Sequence, residues 1–248
     1  MDKLIPKKYT ILEFYRETKD DFTLKVDMVM DHTPGQFVQV SLPGVGEAPI
    51  SICSDSRKHI QLNIREVGNV TRALAKLQKG DSIFIRGPYG KGYPMGKLTG
   101  KSLVIIGGGC GIASLRGVIE YIENHRDDYK DVALFFGYRS PNDIIFNRDM
   151  DAWKGKFSMT TCVDKVAEGK LCYDAKVGFV TDVLKARSIS EENCSALICG
   201  PPIMINLVVD ILKEKGFNDD QIFISAERLM YCATGTCCHC MIREKFTC

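Results

Sequence analysis

The chain has 248 residues, 45% of them hydrophobic, and its 33 basic and 31 acidic side chains give a formal net charge of +2. That suffices for one or two domains with buried cores, and no long block of like charge offers a footprint for nucleic acid or an anionic membrane. No apolar stretch approaches the roughly twenty residues of a membrane span, and Met1-Asp-Lys-Leu-Ile-Pro-Lys-Lys8 contains no apolar run for secretion, so a chain of a reducing, cytoplasmic compartment without membrane insertion is expected.

Residues 8–98 read as an all-β unit, with short alternating or β-branched runs at 9–15, 22–30, 36–42, 50–53, 60–65 and 82–86. Six short strands predict a small barrel. Turn signals separate them at Thr33-Pro-Gly35, Pro43-Gly-Val-Gly46, Lys79-Gly-Asp81 and Gly87-Pro-Tyr-Gly-Lys-Gly92. One helix interrupts the pattern at 69–78, where good helix formers follow a polar start. Gly68, Asn69, Val70 and Thr71 would then present free backbone N–H groups at a helix N-terminus, a seat for phosphate.

From Lys101 the period changes. Ser102-Leu-Val-Ile-Ile106 is an apolar run of the buried-strand type, and 112–124 reads as a helix. Further strands are predicted at 131–136, 158–163, 196–199 and 222–225, with helices at 180–186 and 203–215. Such alternation means a parallel, doubly wound α/β sheet. Its first strand-to-helix turn holds Gly107, Gly108, Gly109 and Gly111 around Cys110, followed by Ile112. This departs from G-x-G-x-x-G, since Ile112 stands where the third glycine belongs. Four glycines in five residues exceed what one tight turn requires, and close approach of a pyrophosphate would explain the excess. A second turn, Cys199-Gly200-Pro201-Pro202, also ends a strand and opens a helix, although Gly-Pro can be plain punctuation.

The last stretch gathers five of eleven cysteines into seventeen residues. Cys232, Cys237, Cys240 and Cys248 give C-x4-C-x2-C-x7-C, which opens with the spacing of plant-type 2Fe-2S loops. Gly235 lets the backbone curl so that amides point at sulfur. Four cysteines can also bind zinc, with Cys238 and His239 as spare ligands, but zinc knuckles usually pair two C-x2-C units across a longer spacer. A disulfide framework fits poorly with an odd cysteine total and no secretory start. The histidines His32, His59, His125 and His239 show no H-x3-H spacing and read as surface or packing residues.

The order of these parts resembles the ferredoxin–NADP reductase superfamily, and within it the electron-transfer subunits of anaerobic sulfite reductase, sulfhydrogenase and dihydroorotate dehydrogenase. The words that carry the likeness are Gly46-Glu-Ala-Pro-Ile-Ser51, Val67-Gly-Asn-Val-Thr71, Arg86-Gly-Pro-Tyr-Gly-Lys-Gly92, Cys199-Gly-Pro-Pro-Ile-Met204 and Glu227-Arg-Leu-Met-Tyr-Cys232. The x7 gap before Cys248 favours the anaerobic sulfite reductase type. The resemblance implies an FAD-binding β-barrel at 1–98, an NAD(P)-binding α/β domain at 99–226 and a 2Fe-2S segment at 227–248. Ala48, Pro49, Ile50 and Ser51 would lie against the isoalloxazine, with the Ser51 hydroxyl near its reactive nitrogen, and Cys199 would join Ser51 at the reacting centre. Ala48 stands where many members place an arginine on the FAD pyrophosphate, and Arg65 is the candidate replacement. Ser114 replaces a usual proline, a change that a helix start tolerates. The sequence stops at Cys248 where relatives continue, so looser cluster retention is expected.

Nicotinamide delivers two electrons as hydride, an iron–sulfur cluster takes one at a time, and flavin does both, which explains why these sites share a chain. The implied partner is a catalytic subunit with siroheme or further iron–sulfur clusters, and a ferredoxin-like subunit is a further candidate. Sulfite is the favoured terminal acceptor. The alternatives are a sulfhydrogenase or dihydroorotate dehydrogenase complex, a self-sufficient reductase, or a zinc-stabilised nucleotide-binding regulator. For the nucleotide, Asp164 argues for NADH by accepting from a ribose 2′-hydroxyl, and Arg139 argues for NADPH. Pairing of Arg139 with Asp143 would tip the balance to NADH.

Overall fold

A computed structural model describes residues 3–166, 174–242 and 244–248. The first unit comprises β1 (Lys7–Arg16), β2 (Asp21–Val26), β3 (Phe37–Leu42), β4 (Gly46–Ser51), β5 (Ile60–Arg65), α1 (Asn69–Leu74) and β6 (Ser82–Tyr89). Its strands form an antiparallel sheet in the order β4-β3-β6-β1-β2-β5. The sheet curls until its ends meet. Ile52 bridges Leu62, and the Cys53 N–H donates to the Gln61 carbonyl at 2.9 Å. Phe22, Leu24, Val38, Val40, Leu62, Ile83 and Ile85 fill the interior, and α1 adds Leu74 to it. Two expectations shift. The fourth strand runs 46–51 rather than 50–53, carrying Pro49 at a strand that is open on one side, where proline removes no ladder bond. The helix ends at Leu74 rather than 78.

The second unit comprises β7 (Ser102–Gly108), α2 (Ile112–Asn124), β8 (Val132–Tyr138), α3 (Asn147–Lys156), β9 (Ser158–Val163), β10 (Lys176–Val177), α4 (Val180–Ala186), β11 (Cys194–Cys199), α5 (Pro202–Glu214) and β12 (Ile222–Ser225). Its sheet is parallel throughout, in the order β10-β9-β8-β7-β11-β12. Ile112, Leu115, Ile119 and Ile122 of α2, with Met150 and Trp153 of α3, cover one face. Val180 and Leu184 of α4, with Val208, Ile211 and Leu212 of α5, cover the other. Burial on both faces explains the unbroken apolar run of β7. Strand order reverses between β7 and β11, so their C-terminal ends border the crevice where such sheets bind ligands. The helix α3 and the two-residue β10 add to the elements expected from the periodicity. A short hairpin, β13 (Met241–Ile242) and β14 (Lys245–Phe246), follows.

The two units are bolted together. Arg116 of α2 donates to the Cys53 carbonyl at 2.6 Å and to Asp149 at 2.7 Å. Glu17 accepts from the Phe146 N–H at 3.1 Å and from Arg148 at 3.2 Å. The Tyr93 hydroxyl donates to the Ile198 carbonyl at 3.2 Å.

Candidate active site

A cavity of about 650 Å³ lies where the barrel, the parallel sheet and the cysteine segment meet. One wall is Ala48, Pro49, Ile50 and Ser51, delivered by the antiparallel pairing of β4 on β3. Asn63, Arg65 and Thr71 form a second side, and Tyr93, Cys110 and Ala113 a third. Thr247 and Cys248 close it from the cysteine segment. The β4 wall, Arg65 and Thr71 thus meet at one site, as their motifs predict, whereas Asn63, Tyr93 and Cys110 join it without a motif to single them out. The walls suit a large ligand with a polar head. The Asn63 Oδ1 is buried with no partner among the described residues, a state that native proteins rarely leave unanswered.

Arg65 is held in place by a carboxylate. Its Nε and Nη2 donate to Asp21 Oδ1 and Oδ2 at 3.0 and 3.1 Å, and Asp21 is 1% exposed. This fork leaves Nη1 as the nitrogen for a ligand anion. The helix start differs from expectation. The Val67 and Gly68 N–H groups both donate to Thr71 Oγ1 at 3.0 Å, so Gly68 offers no free donor. Asn69, Val70 and Thr71 keep the amides that a first turn cannot pair internally. With only six residues in α1, those amides and Arg65, rather than a long helix dipole, are the anion-binding groups on this side.

The glycine-rich turn also meets packing demands that its sequence does not announce. A Cβ on Gly107 would meet Ile112 Cγ1 at 2.5 Å, one on Gly108 would meet Met204 Sδ at 2.5 Å, and one on Gly111 would meet the Gly200 N at 2.7 Å. Gly108 and Gly111 thus let this turn pack against Cys199-Gly200-Pro201-Pro202 and the start of α5, and Gly107 makes room for Ile112 and Leu115 of α2. Only Gly109 has open space, and its φ of +53° is the left-handed conformation that glycine tolerates best. Ile112 is buried as the first residue of α2. Cys199 is 2% exposed and packs in the core beside Tyr93 rather than lining the cavity. Burial pushes its thiol up to about 11 and moves the Tyr93 phenol well above its ordinary range. Cys199 is therefore a neutral thiol near pH 7, not a nucleophile.

At the C-terminal ends of β8 and β9, the Asp164 N–H donates to the Tyr138 carbonyl at 2.9 Å and the Lys165 N–H to the Arg139 carbonyl at 3.2 Å. These bonds bring the exposed Arg139 and Asp164 to neighbouring loops. The expected Arg139–Asp143 pair does not form. Asp143 instead accepts from Ser140 Oγ at 2.7 Å.

In the cysteine segment, backbone amides aim at sulfur. The Thr234 and Cys237 N–H groups each donate to Cys232 Sγ at 3.4 Å, and the Gly235 N–H donates to Cys248 Sγ at 3.0 Å. The bonds from Cys237 and Thr234 pull the Cys232 thiol down to about 6. Cys240 and Cys248 lie with sulfurs 3.1 Å apart. Cys237 is exposed, and among the described residues no three His, Cys, Asp or Glu side chains converge as a finished metal-ion set. Cys238, at φ +57°, turns its thiol to the Gly235 and Thr236 carbonyls, and His239 lies against Tyr231 with ring centroids 4.4 Å apart. The spare zinc ligands are thus directed elsewhere, while amide donors on anionic sulfur suit an iron–sulfur centre.

An oxidoreductase FAD-binding domain family matches residues 17–93, and an oxidoreductase NAD-binding domain family matches residues 105–210. The chain is 37% identical over 249 residues to the gamma subunit of sulfhydrogenase 2 from Pyrococcus furiosus, covering 95% of this chain and 83% of that one. The chain belongs to the electron-transfer subunits of the ferredoxin–NADP reductase superfamily. It is also 31% identical to a probable dihydroorotate dehydrogenase B (NAD(+)) electron transfer subunit of the same organism, over 98% of this chain and 87% of that one. A ferredoxin–NADP+ reductase from Neisseria gonorrhoeae shares the fold, with a TM-score of 0.75 at 21% identity over 88% of this chain and 97% of that one. Membership of this superfamily makes the chain an NAD(P)H-dependent oxidoreductase built from FAD- and NAD-binding domains. No helix among the described residues is long and apolar enough to cross a membrane.

Proposed function

We propose that this subunit oxidises NADH at FAD and passes electrons singly, through a 2Fe-2S cluster on Cys232, Cys237, Cys240 and Cys248, to a catalytic partner. The observation that carries the reading is that Cys248 and Ser51 line one cavity. Flavin, when bound, converts a hydride into two single electrons. The chain's own work is binding and orientation. Ala48, Pro49, Ile50 and Ser51 provide a flat wall for the ring, Arg65 and the Asn69–Thr71 amides neutralise the pyrophosphate, and the crevice at the C-terminal ends of β7 and β11, bordered by the two glycine-containing turns, receives the nucleotide. Tyr93, protonated near pH 7, lines the cavity with an uncharged phenol, and the neutral Cys199 thiol packs behind it.

Relatives favour the sulfhydrogenase and dihydroorotate dehydrogenase readings over sulfite reductase, because the proteins they name are subunits of those complexes. A hydrogenase-type or dihydroorotate dehydrogenase partner with its own metal clusters or flavin is therefore the first choice, and a siroheme partner the second. Purification of the native complex with identification of its subunits tests this. A hydrogenase-type or dihydroorotate dehydrogenase subunit is the expected companion, and a siroheme protein would reverse the order. The chain's diaphorase activity with an artificial dye, NADH against NADPH, tests the nucleotide.

A further inference from the structure

Arg86 of β6 is 9% exposed, and each of its five N–H groups has an acceptor. Nε and Nη2 reach the Glu47 carboxylate, the former at 2.9 Å. Nη1 donates to the Tyr89 hydroxyl and to the Cys232 carbonyl, both at 2.9 Å. The second N–H of Nη2 reaches the Tyr231 carbonyl at 3.2 Å. Its guanidinium carbon also lies 5.3 Å from the Tyr89 ring centroid. Glu47 immediately precedes the β4 wall of the cavity, and Cys232 is the first thiol of the C-x4-C-x2-C loop. One rigid planar group therefore joins the flavin wall to the backbone of the loop.

A brace between β4 and β6 would need only Glu47. A buried guanidinium is tolerated when all its donors are met, and without the loop carbonyls two of the five would be orphaned. Arginine and loop thus hold each other. A second contact supports the same docking: Ala233, 3% exposed, is buried against Phe37 and Tyr89, whose ring centroids lie 5.8 Å apart. We propose that Arg86 is a positioning residue that clamps the loop backbone at Tyr231 and Cys232 onto the barrel and so sets the register of the candidate cluster against the flavin. This rests on the reading of the cysteine segment given above.

Lysine keeps the charge but cannot span five acceptors, so Arg86→Lys is the discriminating variant. In the purified full chain, hydrogen exchange of peptides within 229–240 is expected to quicken roughly tenfold, while peptides of 37–42 keep wild-type protection and FAD stays bound. In protein carrying the cluster, flavin reduction by NADH should be unchanged while cluster reduction slows by a similar factor and its electron paramagnetic resonance line broadens. Wild-type exchange and wild-type cluster reduction in Arg86→Lys would overturn the proposal. If Arg86→Lys does not fold, Tyr89→Phe takes its place, removing one acceptor of Nη1. Faster exchange confined to 229–240 supports the clamp, and wild-type exchange there overturns it. A wild-type chain without iron would instead sink the cluster reading, and the exchange measurement would still decide the role of Arg86.

Discussion

Ser51, at the end of β4, and Cys248, in the cysteine segment, line the same cavity although they come from opposite ends of the chain. Neither unit of the fold makes this site alone. The barrel supplies the wall, the parallel sheet supplies the crevice, and the cysteine loop closes the side through which electrons would leave.

The thiols are expected to divide into ligands and bystanders. Cys240, buried beside Cys248, should be indispensable, and Cys240→Ser should lose the 2Fe-2S electron paramagnetic resonance signal while keeping FAD. Cys238→Ser should keep both, because its thiol faces loop carbonyls. The opposite pattern would show that the ligand set is misassigned.

Arg65 and Asp21 should be separable by their effects. Arg65→Ala leaves the buried Asp21 carboxylate without its cation, which should cost the barrel about 3 kcal/mol in a denaturant titration, and it should weaken FAD binding by at least ~10-fold through loss of a charge-assisted phosphate contact. Asp21→Asn removes the buried charge itself and leaves only a partly exposed arginine, so it should cost less stability and less FAD affinity. Wild-type FAD affinity in Arg65→Ala would remove it from the site.

Nucleotide choice should be moderate rather than absolute. With Asp143 bonded to Ser140, the Arg139 charge is not cancelled by that neighbour and can still meet a 2′-phosphate, while Asp164 opposes it. A preference for NADH of roughly tenfold in kcat/KM is expected, lost in Asp164→Ala. A higher kcat/KM for NADPH in the wild type would reverse the assignment.

Alkaline pH should destabilise the fold through its buried thiols. Burial raises Cys53 from 9.0 to about 12 and Cys199 from 9.0 to about 11, so the folded chain keeps protons that the unfolded chain releases. Their contribution is complete below pH 9 and is lost as pH rises through the folded values. Between pH 9 and 11, wild type should therefore lose about 1.4 kcal/mol per pH unit relative to Cys199→Ala. Parallel stability curves for the two proteins would show that Cys199 is not protonated in this way.

Regular periodicity made most of the scaffold legible. The strands at 158–163 and 222–225 and the helix at 180–186 fall where the apolar pattern puts them. Gly-Glu-Ala-Pro hid the start of β4, because its residues have poor strand propensity and are recruited by pairing with β3. Only Met150 and Trp153 are buried in α3, too few for a helical stripe. At the site, motif positions could be read as cavity walls, but the reason for the glycines could not. Gly108 and Gly111 answer to a second turn distant in sequence. The partners of Arg86 were illegible for the same reason, since nothing local to a strand arginine announces Tyr231 and Cys232.

Hydride should pass from NADH to FAD, and single electrons onward through the cysteine segment of the same chain. Anaerobic titration of the purified chain with NADH, followed by visible and electron paramagnetic resonance spectroscopy with iron and sulfide analysis, decides this. Bound FAD should bleach on NADH addition, with about two irons and two sulfides per chain and a reduced 2Fe-2S signal that appears as the flavin is reduced. Flavin bleaching without that signal, in a chain that contains zinc or no metal, would overturn the electron path proposed for this subunit.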